Sequence, residues 1–506
     1  MSMSSYGLRA DINLHLEDYK RLAQDFDLIP IWLEVDADLE TPITAFWKLR
    51  DGDSSFLFES VEGGEKWARY TFMGSSPTRI FSVEGSRLTQ TNAAGDRKES
   101  THANPLEAMV SLIGCSRIYR PKGLPRFFGG LVGAVSYDVV ADMARLPHGP
   151  SRRVPDMIFF ETDIILAWDN LKHRALLIAL SRPTNHASAE EAYEEACQKL
   201  AASRARVLGP LPPLPVSTTP TQTVASSVDD AEFEARVARA KEYIEAGDAI
   251  QVVVSREFSQ PSGDTHPFLV YRTLRSLNPS PYMFYLETSN HCLVGASPEV
   301  LVRRTHREIE VRPIAGTRKR GADGPEDARL EHELRNDPKE RAEHVMLVDL
   351  ARNDIGRVAE TGSVEVQDQM LVERYSHVMH LVSHVRGTIR DDVNVSKLLT
   401  ATFPAGTLSG APKRRAIEII QELEDDARGY YGGAVGVLNP DGDLDLCIAI
   451  RMMTVSSGRF CVRAGAGVMF DSVPALEAEE TVNKARAILA AIDRARERFG
   501  GNDACA

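Results

Sequence analysis

The run Gly209-Pro-Leu-Pro-Pro-Leu-Pro-Val-Ser-Thr-Thr-Pro220 constrains this chain more than any other segment. Its prolines lack backbone donors and favour extended conformations, while its serines and threonines offer little to bury, so neither a helix nor a central strand can run through it. The segment predicts a linker over 209–228, between an N-terminal domain over 1–208 and a second domain over 229–495, with a tail over 496–506. Before it, apolar or β-branched runs bounded by Gly, Pro, Asp or Asn predict strands over 55–59, 79–83, 157–168 and 175–181, and three-to-four spacing predicts helices over 18–26 and 187–208. After it, helices are expected over 229–246, 337–351, 412–423 and 476–499. Strands are expected over 249–258, 283–287, 291–295, 300–304, 434–438, 444–453 and 459–465. The two element types mix without βαβ regularity, which places the chain in the α+β class.

Charge and motif content exclude several functions. A net charge of −13 repels polyanions, so neither nucleic acid nor an anionic membrane surface is an expected partner. Six cysteines show no CxxC or paired spacing, which argues against a disulfide framework or a structural zinc site and fits a reducing cytoplasm. No signal core and no apolar window of membrane-spanning length is found, so a soluble cytoplasmic protein is expected. A Walker loop, a full GxGxxG after a strand, HExxH and GxSxG are all missing. Gly465-Ala466-Gly467 lacks the third glycine of a dinucleotide site, and a tight turn is its plainer reading.

The remaining motifs concentrate acids and glycines. Asp337 looks like an N-cap with Pro338 at the first helical position, which puts Glu340 and Glu343 on one face with His344 beside them. Glu340 also stands where a capping box wants a glutamate. Glu477 and Glu480 form a second pair three residues apart in the opening turn of a long helix. If the two pairs faced each other they would make a hard oxygen site suited to Mg²⁺. Gly406-Thr407-Leu-Ser-Gly-Ala-Pro412 precedes a helix whose first turn carries Lys413, Arg414 and Arg415, an arrangement that asks for an anion and points to a carboxylated or phosphorylated small molecule. His380 sits on an alternating apolar stretch, where an interior histidine is the default. Arg451 closes an apolar strand and needs an acid or an anionic ligand. Tyr431 is a loop aromatic or a hydroxyl donor.

Taken together, Ile250-Gln-Val-Val-Val-Ser, Gly295-Ala-Ser-Pro-Glu299, Arg312-Pro-Ile-Ala-Gly-Thr317, the Glu340/Glu343 helix running into Asp349-Leu-Ala-Arg-Asn-Asp354, Gly406 to Lys413, and Gly465 to Glu480 resemble the chorismate-utilising enzymes. That family comprises anthranilate, aminodeoxychorismate, isochorismate and salicylate synthases, and the resemblance covers about 229–491. It implies a two-domain sandwich of mainly antiparallel sheets flanked by helices, with the active site between the sheets. It makes Glu343 and Glu480 the Mg²⁺ ligands, with Glu340 and Glu477 beside them. It places Gly316, Thr317, Tyr431, Arg451, Gly465, Ala466 and Gly467 around chorismate, and Thr407 on the pocket wall. Glu299 matches the general acid for the C4 hydroxyl, and His380 the histidine of pyruvate loss. Where isochorismate and salicylate synthases resemble one another in carrying a water-activating lysine, this chain has Gln251, which favours ammonia as nucleophile. Where many aminodeoxychorismate synthases carry a lysine it has Ala315.

The resemblance is thus closest to the large, aminating subunit of anthranilate synthase. The other readings are an aminodeoxychorismate synthase component and a non-catalytic, tryptophan-responsive scaffold. No glutaminase elbow is present, since Cys115 lacks the closing glycine, so the resemblance implies a separate glutamine amidotransferase subunit in a hetero-oligomer. Ser60 and Lys66, with Pro281, Tyr282 and Met283, match the segments of a tryptophan feedback site, which makes residues 1–208 a regulatory domain. A plain turn is the alternative for Pro281.

Overall fold

The computed structural model describes residues 11–60, 69–114, 117–144, 146–147, 149–375 and 378–500. Lys66, Cys115 and Cys505 lie outside them. Two twelve-stranded sheets, whose ladders are all antiparallel, form a sandwich. Helices cover its outer faces, among them Ala189–Val207, Asp230–Glu245, Pro267–Leu277 and Pro474–Arg498. This is the expected fold class.

Each sheet takes strands from both sides of the proline-rich segment. In the first sheet Ser55–Glu59 pairs with Tyr282–Glu287, Met283 opposite Glu59. In the second, Gly130–Val135 pairs with Ala434–Leu438, Ala434 opposite Val135. The prolines run along the surface, where the Trp47 indole N–H donates to the Pro213 carbonyl at 3.2 Å and the Ser217 N–H to the Phe499 carbonyl at 2.9 Å.

Most expected elements form within a residue or two of their predicted ends. The expected strand over 157–168 is instead two strands, Met157–Thr162 in the second sheet and Ile164–Asp169 in the first, hinged at Asp163. The expected strand over 444–453 breaks likewise into Leu444–Ile448 and Met452–Ser456. Here the chain leaves one sheet for the other, and Arg451 makes the change with φ at 50°, a left-handed conformation that costs a non-glycine residue about 1 kcal/mol or more. The segment between Cys292–Ser297 and Val300–Thr305 crosses in the opposite direction at Pro298 and Glu299. The two crossings lie side by side, with the Ile448 N–H donating to the Glu299 carbonyl and the Ala296 N–H to the Arg451 carbonyl, both at 3.0 Å.

Candidate active site

Between the sheets, where those crossings meet, lies a cavity of about 440 Å³. Its walls are the ends of Gln251–Pro261 and Arg459–Val468 from the first sheet and of Ile314–Lys319 and Val378–Thr388 from the second. The helices Pro338–Gly356 and Pro474–Arg498 close it. The cavity gathers all the candidate catalytic, substrate and metal residues except Ala466. Ala466 is wholly buried in the strand between Gly465 and Gly467 and does not line the cavity.

That strand corrects the tight-turn reading, because Gly465-Ala-Gly467 lies within Arg459–Val468. The glycines serve close approach. A Cβ on Gly467 would stand 2.8 Å from the Gln251 amide nitrogen, and one on Gly465 would stand 2.9 Å from the Tyr431 hydroxyl. Gly410, with φ at 128°, lets the Gly406 turn meet the backbone of Gln251, whose carbonyl oxygen a Cβ would strike at 2.1 Å. The turn brings Thr407 to the cavity wall. Its basic cluster, however, does not await a small-molecule anion. Lys413 pairs with Asp354 at 2.7 Å, Arg415 with Asp248 at 2.7 Å and Arg414 with Glu418 at 3.3 Å.

Glu299 is buried, and its Oε1 accepts the Thr407 hydroxyl at 3.1 Å. Burial pushes its pKa up to about 8, with Thr407 and Lys484 opposing, so at neutral pH it holds a proton it can give. On the facing sheet the His380 Nδ1 lies 3.2 Å from the Gly316 carbonyl and 3.0 Å from the Thr317 hydroxyl. A carbonyl only accepts, so Nδ1 carries the hydrogen and the Nε2 lone pair is free. Burial lowers the His380 pKa, which keeps the ring neutral and basic. Arg451 donates to the Lys484 carbonyl at 3.3 Å, and no carboxylate lies within ion-pair distance of it among the described residues. Burial lowers its pKa as well. A guanidinium enclosed without a counter-ion is costly unless an anion arrives.

The acids meet at the opposite wall. Asp337 caps the helix by accepting the Lys339 and Glu340 N–H groups, and Arg318 takes Glu340 at 2.8 Å, so the capping-box role does not apply to Glu340. His344 turns away from the acids to the Ser383 hydroxyl at 2.7 Å, fully buried. Glu343 has its pKa raised by burial and by the charges of Glu340 and Glu480. Burial and the adjacent Glu480 raise the Glu477 pKa, whereas Lys484 overcomes burial at Glu480 and holds it ionised. One oxygen of Glu477 and the amide oxygen of Gln251 are buried without a partner among the described residues. Among the described residues no three acidic, imidazole or thiol groups converge on one point. Mg²⁺ does not need three, since it binds one or two carboxylates and completes its shell with water and ligand oxygens. Repelling carboxylates and the orphaned Glu477 oxygen fit such an ion.

Lys484, absent from the sequence expectations, donates to the Gly465 carbonyl at 3.0 Å and pairs with Glu480 at 2.6 Å. Its spacing four residues after Glu480 on one helix face was a usable signal. Arg463 also lines the cavity, two residues before Gly465 on one strand face.

The residues expected to bind an effector lie elsewhere. Ser60, one position past the Met283–Glu59 pair, has a buried hydroxyl without a partner among the described residues. Tyr282 donates to Asp445 at 2.9 Å and accepts from Arg303 at 2.7 Å. Both of those residues line a second cavity of about 400 Å³ that also includes Tyr70, Phe72 and Val437.

A family model described as chorismate binding enzyme matches residues 88–490. It begins far ahead of the motifs at 229, as expected if strands before the linker complete the sheets. The anthranilate synthase component 1 of Acetivibrio thermocellus is 42% identical over 491 residues, covering 95% of this chain and 99% of that protein. The protein of the same name from Pseudomonas aeruginosa strain PAO1 is 41% identical over 494 residues, covering 96% and 99%. The crystal structure of anthranilate synthase component I from Streptococcus pneumoniae superposes with a TM-score of 0.74 at 34% identity, covering 90% of this chain and 98% of that one. The menaquinone-specific isochorismate synthase of Escherichia coli shares the fold, with a TM-score of 0.69 at 18% identity and coverage of 97% and 100%.

Proposed function

The chain belongs to the chorismate binding enzymes, and from that premise we propose that it is the aminating component of an anthranilate synthase. Ammonia adds at C2 of chorismate, the C4 hydroxyl leaves as water, and loss of pyruvate makes the ring aromatic. The observation that carries this reading is the pairing, in one cavity, of a protonated buried acid, Glu299, with a guanidinium, Arg451, that has no carboxylate within ion-pair distance among the described residues. A dianion with a poor leaving group requires both.

In this reading Arg451 and the Tyr431 hydroxyl hold one carboxylate of chorismate. Thr317 and the backbone around Gly316, Gly465 and Gly467 shape the wall, where a side chain at either strand glycine would intrude. Glu299 gives its proton to the departing C4 oxygen. The free Gln251 amide oxygen accepts an N–H of incoming ammonia and orients its lone pair. Neutral His380 takes the C2 proton through Nε2 as the C–O bond to pyruvate breaks. Gln251 offers no base for water and Ala315 no amine for covalent attack, which favours this chemistry over hydroxylation or an aminodeoxychorismate route. Glu343 and Glu480 would hold Mg²⁺, which when bound neutralises the second carboxylate of the substrate.

Ammonia comes from a separate glutamine-hydrolysing subunit in a hetero-oligomer, consistent with relatives named as component 1. Tryptophan is the feedback effector and binds beside the orphaned Ser60 hydroxyl and Tyr282. No described helix is long and apolar enough to cross a membrane, and a cytoplasmic location fits such a biosynthetic role. The test is turnover of chorismate and Mg²⁺ by the purified chain with either nitrogen source. Ammonium is expected to yield anthranilate. Glutamine is expected to yield none until an amidotransferase subunit is added, and equal activity with glutamine alone contradicts the reading.

A further inference from the structure

Glu299 has a second face. Adjoining the main cavity and sharing Glu299, Thr407 and Leu347 with it is a small space of about 30 Å³ whose wall also includes Thr402 and Asp354. A water needs roughly 10–15 Å³ of such space and two or more polar partners, so one or two waters fit. Asp354 is buried, and its Oδ2 accepts from the Lys413 Nζ at 2.7 Å. Both partners are largely buried, the Lys413 side chain 16% exposed and that of Asp354 9%.

We propose that Asp354 and Lys413, through water in this small cavity, return a proton to Glu299 while the aminated substrate still fills the main cavity. The inference rests on the aminating role assigned above. Once Glu299 has protonated the C4 oxygen it is an anion in a place that disfavours charge, and its front face is blocked until the products leave. Thr407 cannot resupply it alone, because its single hydrogen already points at Glu299. Through the small space, the proton passes from the Lys413 ammonium to the Asp354 carboxylate, then through water to Glu299, and Lys413 regains one from solvent. Only O–H and N–H bonds form and break. Burial raises the Asp354 pKa and lowers that of Lys413, with Arg357 facing both, which brings the two proton sites closer in energy. Lys484 and Thr407 are the groups facing Glu299. The competing role for the pair is packing alone, tying the start of the helix Lys413–Leu423 to Pro338–Gly356.

The test uses the full chain with chorismate, Mg²⁺ and ammonium, comparing a rapid-quench first turnover with steady-state rates. Asp354→Asn combined with Lys413→Met neutralises both ends, so no lone charge stays buried. The first turnover is expected within twofold of wild type, because Glu299 starts protonated. Steady-state kcat is expected to fall at least tenfold with the chorismate KM unchanged, and its solvent deuterium isotope effect to rise. Thr402→Val leaves the ion pair intact and removes only a hydroxyl from the cavity wall, so it gives the same split in smaller measure. First-turnover and steady-state rates falling together, or neither falling, overturns the relay. Absence of product from wild type contradicts the aminating role itself.

Discussion

Tyr282 and Ser297 are register partners across the first sheet, so the tyrosine of the effector segment stands opposite a residue two positions from Glu299. The Ser297 hydroxyl accepts the Glu299 N–H at 3.3 Å and donates to the Ile448 carbonyl at 2.7 Å. Tyr282 reaches the second sheet through Asp445 and Arg303. A molecule that displaces Tyr282 therefore acts on the hairpin that carries the acid and on the crossing beside Arg451.

Because coupling between two ligands is reciprocal, tryptophan is expected to weaken chorismate binding and chorismate to weaken tryptophan binding by the same factor. Ser60→Ala removes the unpartnered hydroxyl and is expected to raise the tryptophan Kd at least tenfold by calorimetry. An unchanged Kd contradicts the placement of the effector.

Glu299→Gln keeps the shape and removes the proton, so kcat is expected to fall by about 100-fold or more. In wild type, kcat/KM is expected to decline as pH rises through about 8, the value to which burial pushes this carboxyl. The sign for stability follows. The folded chain holds this proton from the unfolded value of 4.5 up to about 8, so stability is lost as pH rises through that window. Glu299→Gln is therefore expected to gain stability relative to wild type between pH 5 and pH 9. Denaturant titrations at the two pH values check it.

Arg451 costs the fold stability, since it is enclosed at a left-handed backbone position with no carboxylate within ion-pair distance among the described residues. Arg451→Met is expected to leave the Tm of the ligand-free chain unchanged or higher while lowering kcat/KM for chorismate by 100-fold or more. A large fall in Tm contradicts this account of the residue.

Mg²⁺ is expected to raise the Tm by relieving repulsion among the acids at the cavity wall. Glu343→Gln and Glu480→Gln are each expected to raise the Mg²⁺ concentration for half-maximal activity at least tenfold. They are also expected to abolish the stabilisation by metal, which a thermal melt reads without substrate.

The candidate site was more legible than the fold. Its residues lie at strand ends and in first helical turns, where local chemistry such as an Asp337 cap or a glycine that admits Gln251 announces itself over a few residues. Pairings such as Met283 with Glu59 were not legible, because register between distant strands is set by which faces both can bury, not by either strand alone. The same reason hid the sheet crossings at Asp163 and Arg451, since an apolar run reads alike whether it stays in one sheet or changes sheets. The basic first turn at Lys413–Arg415 showed that a negative partner was needed without showing that Asp354, Asp248 and Glu418 provide it. The helix Gly324–Asn336 escaped notice because its charged sequence carries weak periodicity, although, like Pro267–Leu277, it begins with a proline in its first turn.

The most direct measurement of the central claim is the stoichiometry of products from chorismate, Mg²⁺ and ammonium, with anthranilate followed by fluorescence and pyruvate by a coupled assay. Metal-dependent formation of the two in equal amounts is expected. An aminated product accumulating without pyruvate, or no turnover by the folded chain, would contradict it.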